Sequence, residues 1–291
     1  MIKKGIILSG GMGTRMSPLT KAVNKQLLPI YDKPLIFYPL SILMLAKIRD
    51  IMIIVNKGQL DQYKKLFPDD KRLGIKITFA EQEKPKGLPD AFILGKKFIK
   101  KDNVCLVLGD NLFYGDGLPN LLNDAINYVE NNKKAIIFSY KVSNPSNYGV
   151  VIEKNNKVQS IIEKPKNTKS KNAIIGLYVY PNKVIKLSKK IKPSKRGELE
   201  ITDLNNLFLK EKKLELRKFG RGIAWFDTGS AENLYEASQL IRIMEKRIGY
   251  KIGCPEEISF NKNWIGIKRY KKNINKYEKS EYGKYLKELI K

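Results

Sequence analysis

With 291 residues, of which 42% are hydrophobic, the chain is long enough to bury a large core and to form one or two domains. It has no run of about eighteen apolar residues, only two cysteines and no histidine, which excludes a membrane-spanning helix, a disulfide framework and a His-based catalytic triad. Its 56 Lys and Arg against 29 Asp and Glu give a net charge of +27. Because these cations are scattered over almost every segment, we expect no specific nucleic-acid partner. We also expect a cytoplasmic protein with no membrane partner.

The first predicted element is a short buried strand at residues 6–8, which runs into the segment Gly10-Gly11-Met12-Gly13-Thr14-Arg15. Glycines allow a turn whose backbone N–H groups face an anion, and the guanidinium of Arg15 adds a fork for phosphate oxygens. Lys25 follows closely enough to return to the same pocket. The segment has neither the Gly-Lys-Ser/Thr end of a P-loop nor the spacing of a dinucleotide fingerprint, which disfavours a nicotinamide enzyme. The alternative is an ordinary tight connection between a strand and a helix.

Strand and helix patterns alternate over the first half of the chain. Apolar periodicity predicts helices at residues 37–48, 60–67, 89–98 and 118–129, and strands at residues 51–55, 75–79 and 104–108. Such alternation is typical of a Rossmann-like α/β fold, in which a mainly parallel sheet has helices on both faces and binds its ligands beyond the carboxyl ends of the strands.

The pattern changes in the second half, where short turns separate strand candidates at residues 135–142, 148–153, 158–163 and 173–180. We expect these strands to extend the same sheet in antiparallel fashion, with Asn155-Asn156 as a hairpin turn, and to carry substrate-specific residues opposite the glycine-rich segment. Helices are predicted at residues 182–191, 201–212 and 231–247, and strands at residues 214–219 and 223–226. The tail from residue 268 is rich in Lys, Tyr and Asn, so we expect a mobile middle and a short final helix at residues 282–290.

Two predicted strand ends carry an aspartate, Asp110 and Asp227. Carboxylates at the sheet edge that also holds a phosphate loop suit Mg²⁺, which accepts one or two carboxylates together with phosphate oxygens and water. The alternative for each aspartate is that it caps a turn.

Two further segments carry polar groups suited to a sugar nucleotide. In Glu163-Lys164-Pro165 the proline is expected to hold Lys164 extended, where its ammonium can face a phosphate while Glu163 accepts hydrogen bonds from sugar hydroxyls. Gln82 offers a donor and an acceptor to a base edge, and Gly87 allows the backbone to approach a ring. Read alone, either segment is an ordinary solvated turn.

Several long motifs follow one another in a single order. They are Gly10-Gly-Met-Gly-Thr-Arg15, Lys25-Gln-Leu-Leu-Pro29, Tyr31-Asp-Lys-Pro34, Tyr38-Pro-Leu-Ser41, Leu108-Gly-Asp-Asn111, Tyr148-Gly-Val-Val151, Glu163-Lys-Pro165, Arg196-Gly-Glu-Leu-Glu-Ile-Thr202 and Trp225-Phe-Asp-Thr-Gly229. With these motifs the chain closely resembles the sugar-nucleotidyltransferase family, in one register from Lys4 to Ile265. The resemblance implies one domain over residues 1–291, with a nucleotide-binding half at 1–130, a sugar-binding half of antiparallel strands at 131–228 and a C-terminal helical region at 229–291.

The resemblance also implies roles for individual residues. Those expected to bind the nucleotide are Leu8, Gly10, Gly11, Gly13, Thr14, Arg15, Gln26, Gln82, Pro85, Gly87 and Asp110. Those expected to bind the sugar phosphate are Tyr148, Gly149, Glu163, Lys164, Ile174, Tyr178 and Trp225. Arg15, Lys25 and Lys164 are expected to be catalytic, and Asp110 and Asp227 to hold Mg²⁺.

The function that the resemblance implies is transfer of a thymidylyl group from dTTP to glucose 1-phosphate, which gives dTDP-glucose and pyrophosphate. The resemblance also implies a homotetramer with a second, regulatory nucleotide site near residues 250–264. Pro89-Asp90, Asp116 and Ser230-Ala231-Glu232 depart from the usual pattern, which leaves base selection open. The alternatives are use of UTP or another nucleoside triphosphate, a non-catalytic nucleotide sensor, and a nucleic-acid binder.

Overall fold

The computed structural model describes residues 2–291, apart from the side chain of Asp70, and Met1 lies outside the described residues. The strands, in chain order, are β1 (Lys4–Ser9), β2 (Pro29–Ile30), β3 (Lys33–Pro34), β4 (Asp50–Asn56), β5 (Lys76–Gln82), β6 (Val104–Leu108), β7 (Asn111–Gly115), β8 (Ala135–Lys141), β9 (Gly149–Lys154), β10 (Lys157–Glu163), β11 (Asn172–Tyr180), β12 (Leu214–Lys218) and β13 (Ile223–Asp227). The α-helices are α1 (Phe37–Leu45), α2 (Leu60–Leu66), α3 (Asp90–Leu94), α4 (Lys96–Ile99), α5 (Leu118–Asn132), α6 (Val184–Ser188), α7 (Ile201–Lys210), α8 (Ala231–Ile248), α9 (Pro255–Asn261), α10 (Ile267–Asn275) and α11 (Glu281–Glu288).

A large central sheet organises the molecule. Its strand order is β10-β9-β11-β6-β1-β4-β5, with β8 and β12 attached to β11 as a branch. The strands β6, β1, β4 and β5 run parallel, whereas β11 pairs antiparallel with β6, β8 and β9. The fold class predicted from the sequence, a mainly parallel α/β sheet extended by antiparallel strands, is confirmed.

Alternating residues of the parallel strands face two separate apolar layers. In β4, Ile51 and Ile53 pack in one cluster with α1 and α5, whereas Met52 and Ile54 pack in a second cluster with α3 and α7. Because side chains alternate between the two faces of a strand, a continuous apolar run such as residues 51–55 is buried only when helices cover both faces. This layering leaves the carboxyl ends of the strands as the edge where polar side chains converge.

Two helix predictions need correction. The single helix expected at residues 89–98 is divided at Gly95 into α3 and α4. At Gly95 the backbone lies so close to the sheet that a Cβ atom would be 2.8 Å from Met52 Cε, and glycine itself costs a helix about 1 kcal/mol relative to alanine. The expected helix at residues 182–191 is also shorter and covers only Val184–Ser188.

The expectation of a mobile tail is wrong. Helices α9, α10 and α11 pack around an apolar cluster whose buried members are Cys254, Ile265, Tyr270, Ile274, Tyr282 and Leu286. Their composition is polar because each helix buries only one narrow face, and composition alone does not reveal such a face. Within residues 2–291, no helix is both long and apolar enough to span a membrane.

A two-stranded ribbon of β7 and β13 lies apart from the central sheet. The sequence predicted β13 but not β7. The two strands pair antiparallel so that Asn111 lies opposite Asp227. Because β7 follows β6 after only two residues, the ribbon brings the end of β13 to the carboxyl edge of the parallel strands. Asp110 and Asp227 therefore lie on neighbouring backbone segments.

Candidate active site

The glycine-rich segment forms a turn at the carboxyl end of β1. Gly13 has a left-handed conformation (φ +64°) and precedes a short 3₁₀ turn at Thr14–Met16. The hydroxyl of Thr20 donates to the Gly13 carbonyl over 2.8 Å. At Gly10 the backbone contacts the Gln82 amide so closely that a Cβ atom would lie 1.6 Å from Gln82 Nε2. Glycine is therefore required at position 10.

Lys25, which is buried, and Asp110, which is partly buried, form an ion pair beside this turn. Lys25 lies in a 3₁₀ turn whose preceding residue, Asn24, accepts a hydrogen bond from the Gln26 N–H. Burial by itself would raise the pKa of Asp110, but the Lys25 ammonium holds that pKa below its ordinary value. Asp110 therefore stays a carboxylate, and the pair places one cation and one anion at the end of β6.

Asp227 and Arg15 complete a cluster of four charges. Burial raises the pKa of Asp227, the negative charge of Asp110 raises it further, and Lys25 and Arg15 oppose both effects. A Cβ atom on Gly229 would lie 2.7 Å from Arg15 Nη2 and 3.2 Å from Asp227 Oδ1. The structure thus brings together the two predicted metal ligands and two of the three predicted catalytic cations.

The donor set of this cluster fits Mg²⁺. Two neighbouring, partly buried carboxylates repel each other, and a divalent cation between them would relieve that repulsion. Among residues 2–291 there is no group of three or more His, Cys, Asp or Glu side chains suited to a metal. Two carboxylates suffice for Mg²⁺, since it commonly keeps water and phosphate oxygens as its other ligands.

Aromatic rings form a wall next to the charged cluster. The rings of Tyr148 and Trp225 meet edge to face at a centroid distance of 5.3 Å. Trp225 Nε1 donates to Asn111 Oδ1 over 2.7 Å, which fixes the indole against the ribbon. Burial raises the pKa of the Tyr148 phenol, and the nearby charge of Asp227 adds to this shift. This wall therefore faces the same space as the carboxylates.

The remaining predicted sugar residues surround Glu163 at the end of β10. A Cβ atom on Gly149 would lie 3.3 Å from Glu163 Oε2 and 3.7 Å from Ile174 Cδ1. Tyr178 is buried, which raises the pKa of its phenol, and the charge of Glu163 contributes to this shift. Thr202 Oγ1 donates to Glu163 Oε2 over 2.5 Å. One carboxylate oxygen of Glu163 is thus held while the side chain stays partly exposed.

Lys164 differs from its predicted conformation. It has a left-handed backbone (φ +42°), not the extended one expected before Pro165. Its N–H donates to the Tyr148 carbonyl over 3.0 Å, and this bond selects the unusual conformation over the one that proline favours. The side chain is exposed and has no hydrogen bond or ion pair in the described part of the chain. Lys164 therefore lies at the surface, with its backbone joined to Tyr148.

The structure brings only some of the predicted nucleotide-binding residues to the turn at the end of β1: Gln82 contacts Gly10 there, whereas Gly87 lies against Leu199. Leu8 is a partly buried residue of β1 itself, and Pro85 is exposed. Gly87 has φ +106° and forms a bridge with Leu199, whose N–H donates to the Lys86 carbonyl. Gln26 is buried, and its Oε1 has no hydrogen-bond partner among the described residues. A buried unpaired acceptor is unfavourable, so Gln26 Oε1 is suited to a ligand hydroxyl.

Sequence reasoning missed the role of Arg196, although it quoted the motif that begins there. The Arg196 guanidinium lies 3.5 Å from Glu163 Oε1, 3.0 Å from Glu198 Oε2 and 3.8 Å from Glu200 Oε1. The Arg196 guanidinium is half exposed, and its positive charge faces Glu163. The only signal was an arginine followed by two acids within the next four residues, and such a pattern does not say where the guanidinium points.

Comparison with known proteins shows the family to which the chain belongs. A family model described as nucleotidyl transferase matches residues 4–243. Over 289 residues the chain is 45% identical to the glucose-1-phosphate thymidylyltransferase of Neisseria meningitidis, and over 288 residues it is 42% identical to that of Mycobacterium tuberculosis, with 99% of each chain covered in both cases. UDP-glucose pyrophosphorylase complexed with UDP-glucose aligns with a TM-score of 0.74 and 25% identity over 84% of this chain and 100% of that chain. The chain therefore belongs to the nucleotidyl transferase family, as its motifs led us to expect.

Proposed function

We propose that the protein transfers a thymidylyl group from dTTP to α-D-glucose 1-phosphate and releases dTDP-glucose and pyrophosphate. The names of its relatives supply the substrates. The observation that carries the proposal is the convergence of Arg15, Lys25, Asp110 and Asp227 at the carboxyl edge of the sheet, beside the aromatic wall of Tyr148 and Trp225. This arrangement puts charges suited to a triphosphate next to a pocket suited to a sugar ring.

The reaction needs no general base. The second pKa of a phosphate monoester is about 6, so near neutral pH glucose 1-phosphate is already mostly a dianion and can attack the α-phosphorus of dTTP directly. A phosphate oxygen forms a new bond to this phosphorus, and pyrophosphate leaves with the electrons of the broken P–O bond. A chain without histidine is therefore fully equipped for this chemistry.

The main barrier is the repulsion between two anions. Arg15 and Lys25 lie where they reduce the charge of the triphosphate, and Lys164 and Arg196 lie at the rim where the sugar phosphate enters. Glu163 is positioned to accept hydrogen bonds from sugar hydroxyls, with the Tyr148 and Trp225 rings beside the pyranose. These residues orient the attacking phosphate in line with the leaving pyrophosphate.

Asp110 and Asp227 would hold Mg²⁺, which supplies Lewis-acid charge neutralisation at the α-phosphate when it is bound. Lys25 then has a second function, because it keeps Asp110 ionised and ready to bind the metal. Assembly into a homotetramer with a regulatory nucleotide site also belongs to this proposal. It rests on the family resemblance and is tested by light scattering of the purified protein with and without dTDP-glucose.

A pyrophosphate-release assay tests the proposal. We expect rapid release when dTTP and glucose 1-phosphate are supplied together with Mg²⁺, and almost none when either substrate or the metal is omitted. Use of UTP is the second candidate, favoured by the similarity to UDP-glucose pyrophosphorylase, and it predicts a higher kcat/KM for UTP than for dTTP. Absence of turnover with every nucleoside triphosphate, combined with nucleotide binding, would show a non-catalytic sensor and contradict the proposed function.

A further inference from the structure

Two amide side chains, Asn56 and Gln82, lie next to the glycine-rich turn at the carboxyl end of β1. They occupy the ends of the parallel strands β4 and β5, where they are direct partners in the strand register. Asn56 is 7% exposed and Gln82 is 4% exposed. Both amides point toward the glycine-rich turn at the end of β1, so their hydrogen bonds link the base-recognition residue to the phosphate-binding segment.

The orientation of both amides is fixed by backbone carbonyls. Gln82 Nε2 lies 2.7 Å from the Gly10 carbonyl oxygen, and Asn56 Nδ2 lies 3.3 Å from the Gly11 carbonyl oxygen. A carbonyl oxygen only accepts hydrogen bonds, so the nitrogen of each amide must face it. Asn56 Oδ1 is thereby directed toward Gln82 and accepts from the same Nε2 over 3.0 Å. Turning either amide over would bring two acceptors together.

Both hydrogens of Gln82 Nε2 are therefore used within the protein. The Gly10 carbonyl takes one and Asn56 Oδ1 takes the other. Gln82 Oε1 has no hydrogen-bond partner within residues 2–291. The atom is not fully buried, so a ligand can contact it. Toward a ligand, Gln82 can only accept a hydrogen bond.

An acceptor at this position discriminates between pyrimidines. Thymine and uracil carry a hydrogen on N3, which Gln82 Oε1 can accept. Cytosine has an unprotonated N3, which would face Gln82 Oε1 as a second acceptor, and leaving two buried acceptors face to face is strongly unfavourable. A glutamine with one free N–H would lose part of this discrimination, because that N–H could donate to the unprotonated N3 of cytosine.

We propose that Asn56 is a specificity-determining residue: by holding the second N–H of Gln82, it keeps Gln82 a pure acceptor and so makes the site select 2,4-dioxopyrimidine nucleotides over cytosine nucleotides. The inference rests on the proposed function and on the expectation from the sequence that Gln82 faces the base of the bound nucleotide. Asn56 acts through Gln82 and touches no substrate, so it is a positioning residue. A substitution of Asn56 should therefore change the ratio of kcat/KM between nucleotides and leave the chemical step unchanged.

The test compares kcat/KM for dTTP and dCTP, with glucose 1-phosphate and Mg²⁺, in three proteins. The unsubstituted protein should prefer dTTP by about 1000-fold or more, as sites built to match a polar group do. Asn56→Ala frees one N–H of Gln82, and we expect the preference to fall by about tenfold or more, the effect of one hydrogen bond. Asn56→Leu, which has a similar shape and no hydrogen-bonding group, should give the same fall and replaces the alanine variant if that variant does not fold.

Asn56→Asp is the matched control. Its carboxylate still accepts from Gln82 Nε2, but an oxygen replaces the donor that faces the Gly11 carbonyl. We therefore expect KM for both nucleotides to rise together while the dTTP preference is kept within about threefold, less than the effect of one hydrogen bond. A merely structural role of Asn56 would lower all activities in all variants without changing the ratio.

An unchanged dTTP preference in Asn56→Ala and Asn56→Leu overturns the inference. Calorimetric binding of dTTP and dCTP to the same proteins separates this result from a failure of the proposed function. If the unsubstituted protein binds dTTP selectively but does not transfer it to glucose 1-phosphate, the proposed transfer is wrong while the role of Asn56 is still decided by the binding ratio. If dCTP binds as tightly as dTTP to the unsubstituted protein, the inference fails whatever the turnover.

Discussion

At the scale of single residues, we expect the repulsion within the charged cluster to lower the free energy of unfolding while the same charges support activity. Asp110 and Asp227 are neighbouring carboxylates in a buried site, and only Lys25 and Arg15 offset their repulsion. Holding two like charges together in a partly buried site is unfavourable for folding. The cluster is therefore the part of the molecule where substitution should separate folding from catalysis most clearly.

The first prediction concerns Lys25. In Lys25→Met the partly buried Asp110 loses its cation, so we expect the free energy of unfolding to fall by about 2 kcal/mol and kcat/KM to fall by about 100-fold or more. Denaturant unfolding and the pyrophosphate-release assay measure the two effects. The double variant Lys25→Met/Asp110→Asn removes both charges and should recover stability without recovering activity. Recovery of activity in the double variant would contradict a catalytic role of the ammonium.

The second prediction concerns the pH dependence of Asp227. Its folded-state pKa is raised above the ordinary 3.8, so the destabilisation it causes is fully present above the raised pKa and disappears as the pH falls toward 3.8. We expect Asp227→Asn to increase the free energy of unfolding of the metal-free protein by about 1 kcal/mol at pH 7.5, and by much less near pH 4. Urea unfolding at both pH values checks this.

The same variant tests the metal. Mg²⁺ binds the carboxylate form, so its stabilising effect on the unsubstituted protein should weaken as the pH falls through the raised pKa of Asp227. Thermal unfolding with and without Mg²⁺ should show a shift in Tm at pH 7.5 that is absent from Asp227→Asn. An equal Tm shift in both proteins would place the metal elsewhere.

At the scale of elements, the short turns after the strands determine where the side chains of the charged cluster lie. The 3₁₀ turn Lys25–Leu27 carries the lysine that we propose to be catalytic. It is held by residues outside the turn, because Asn24 Oδ1 accepts from the Gln26 N–H over 3.0 Å and from the Tyr63 hydroxyl of α2 over 2.8 Å. Asn24 is 3% exposed. Helix α2 thus orients Lys25 although it contributes no group to the pocket.

The third prediction follows from this turn. Asn24→Ala removes the cap and leaves the Tyr63 hydroxyl unpaired, so we expect a loss of about 2 kcal/mol in stability and a fall in kcat of about tenfold, with Lys25 less well held. Asn144 is a matched control, since it precedes the 3₁₀ turn Pro145–Asn147 but is exposed and makes no cap hydrogen bond to that turn. Asn144→Ala should change stability by less than about 0.5 kcal/mol. Equal kcat in the two variants would remove the turn from the positioning of Lys25.

At the scale of the whole molecule, the C-terminal helices are joined to the first half by a buried polar network. Arg72 donates to Glu256 over 3.1 Å and to the Tyr277 hydroxyl over 3.0 Å, and the Tyr282 hydroxyl donates to Glu256 over 2.7 Å. Arg72 and Glu256 are almost completely excluded from water. The network links a loop before β5 to α9 and α11, so the tail is an integral part of the fold.

The fourth prediction tests this junction. Arg72→Met leaves Glu256 as an unpaired buried carboxylate, and we expect the free energy of unfolding to fall by about 3 kcal/mol or more. The exposed pair Lys57–Glu83, at 2.9 Å, is the control, and Lys57→Met should change stability by less than about 0.5 kcal/mol. Chemical denaturation of both variants gives the comparison. Equal effects would mean that burial does not determine the strength of these pairs.

The sequence by itself determined the fold class, the family and the residue types of the site. Apolar periodicity predicts strands and helices because it depends on neighbours within one element, which is why β4, α5 and α8 were predicted within a few residues of their bounds. Motifs in one order along the chain indicated the nucleotidyl transferase family, which the comparisons confirm. The predicted residue roles follow from the same motifs and stay predictions until they are measured.

Only the tertiary structure decided how these groups face one another. Gln82 is a pure acceptor because the Gly10 carbonyl, 72 positions away, and Asn56 take its two N–H hydrogens, and Lys164 leaves the extended conformation for a hydrogen bond to Tyr148. The C-terminal helices are ordered by an apolar cluster and by Arg72, which composition did not reveal. In each case the deciding interaction joins segments that are distant in sequence, and no local pattern encodes the free energy of such a contact.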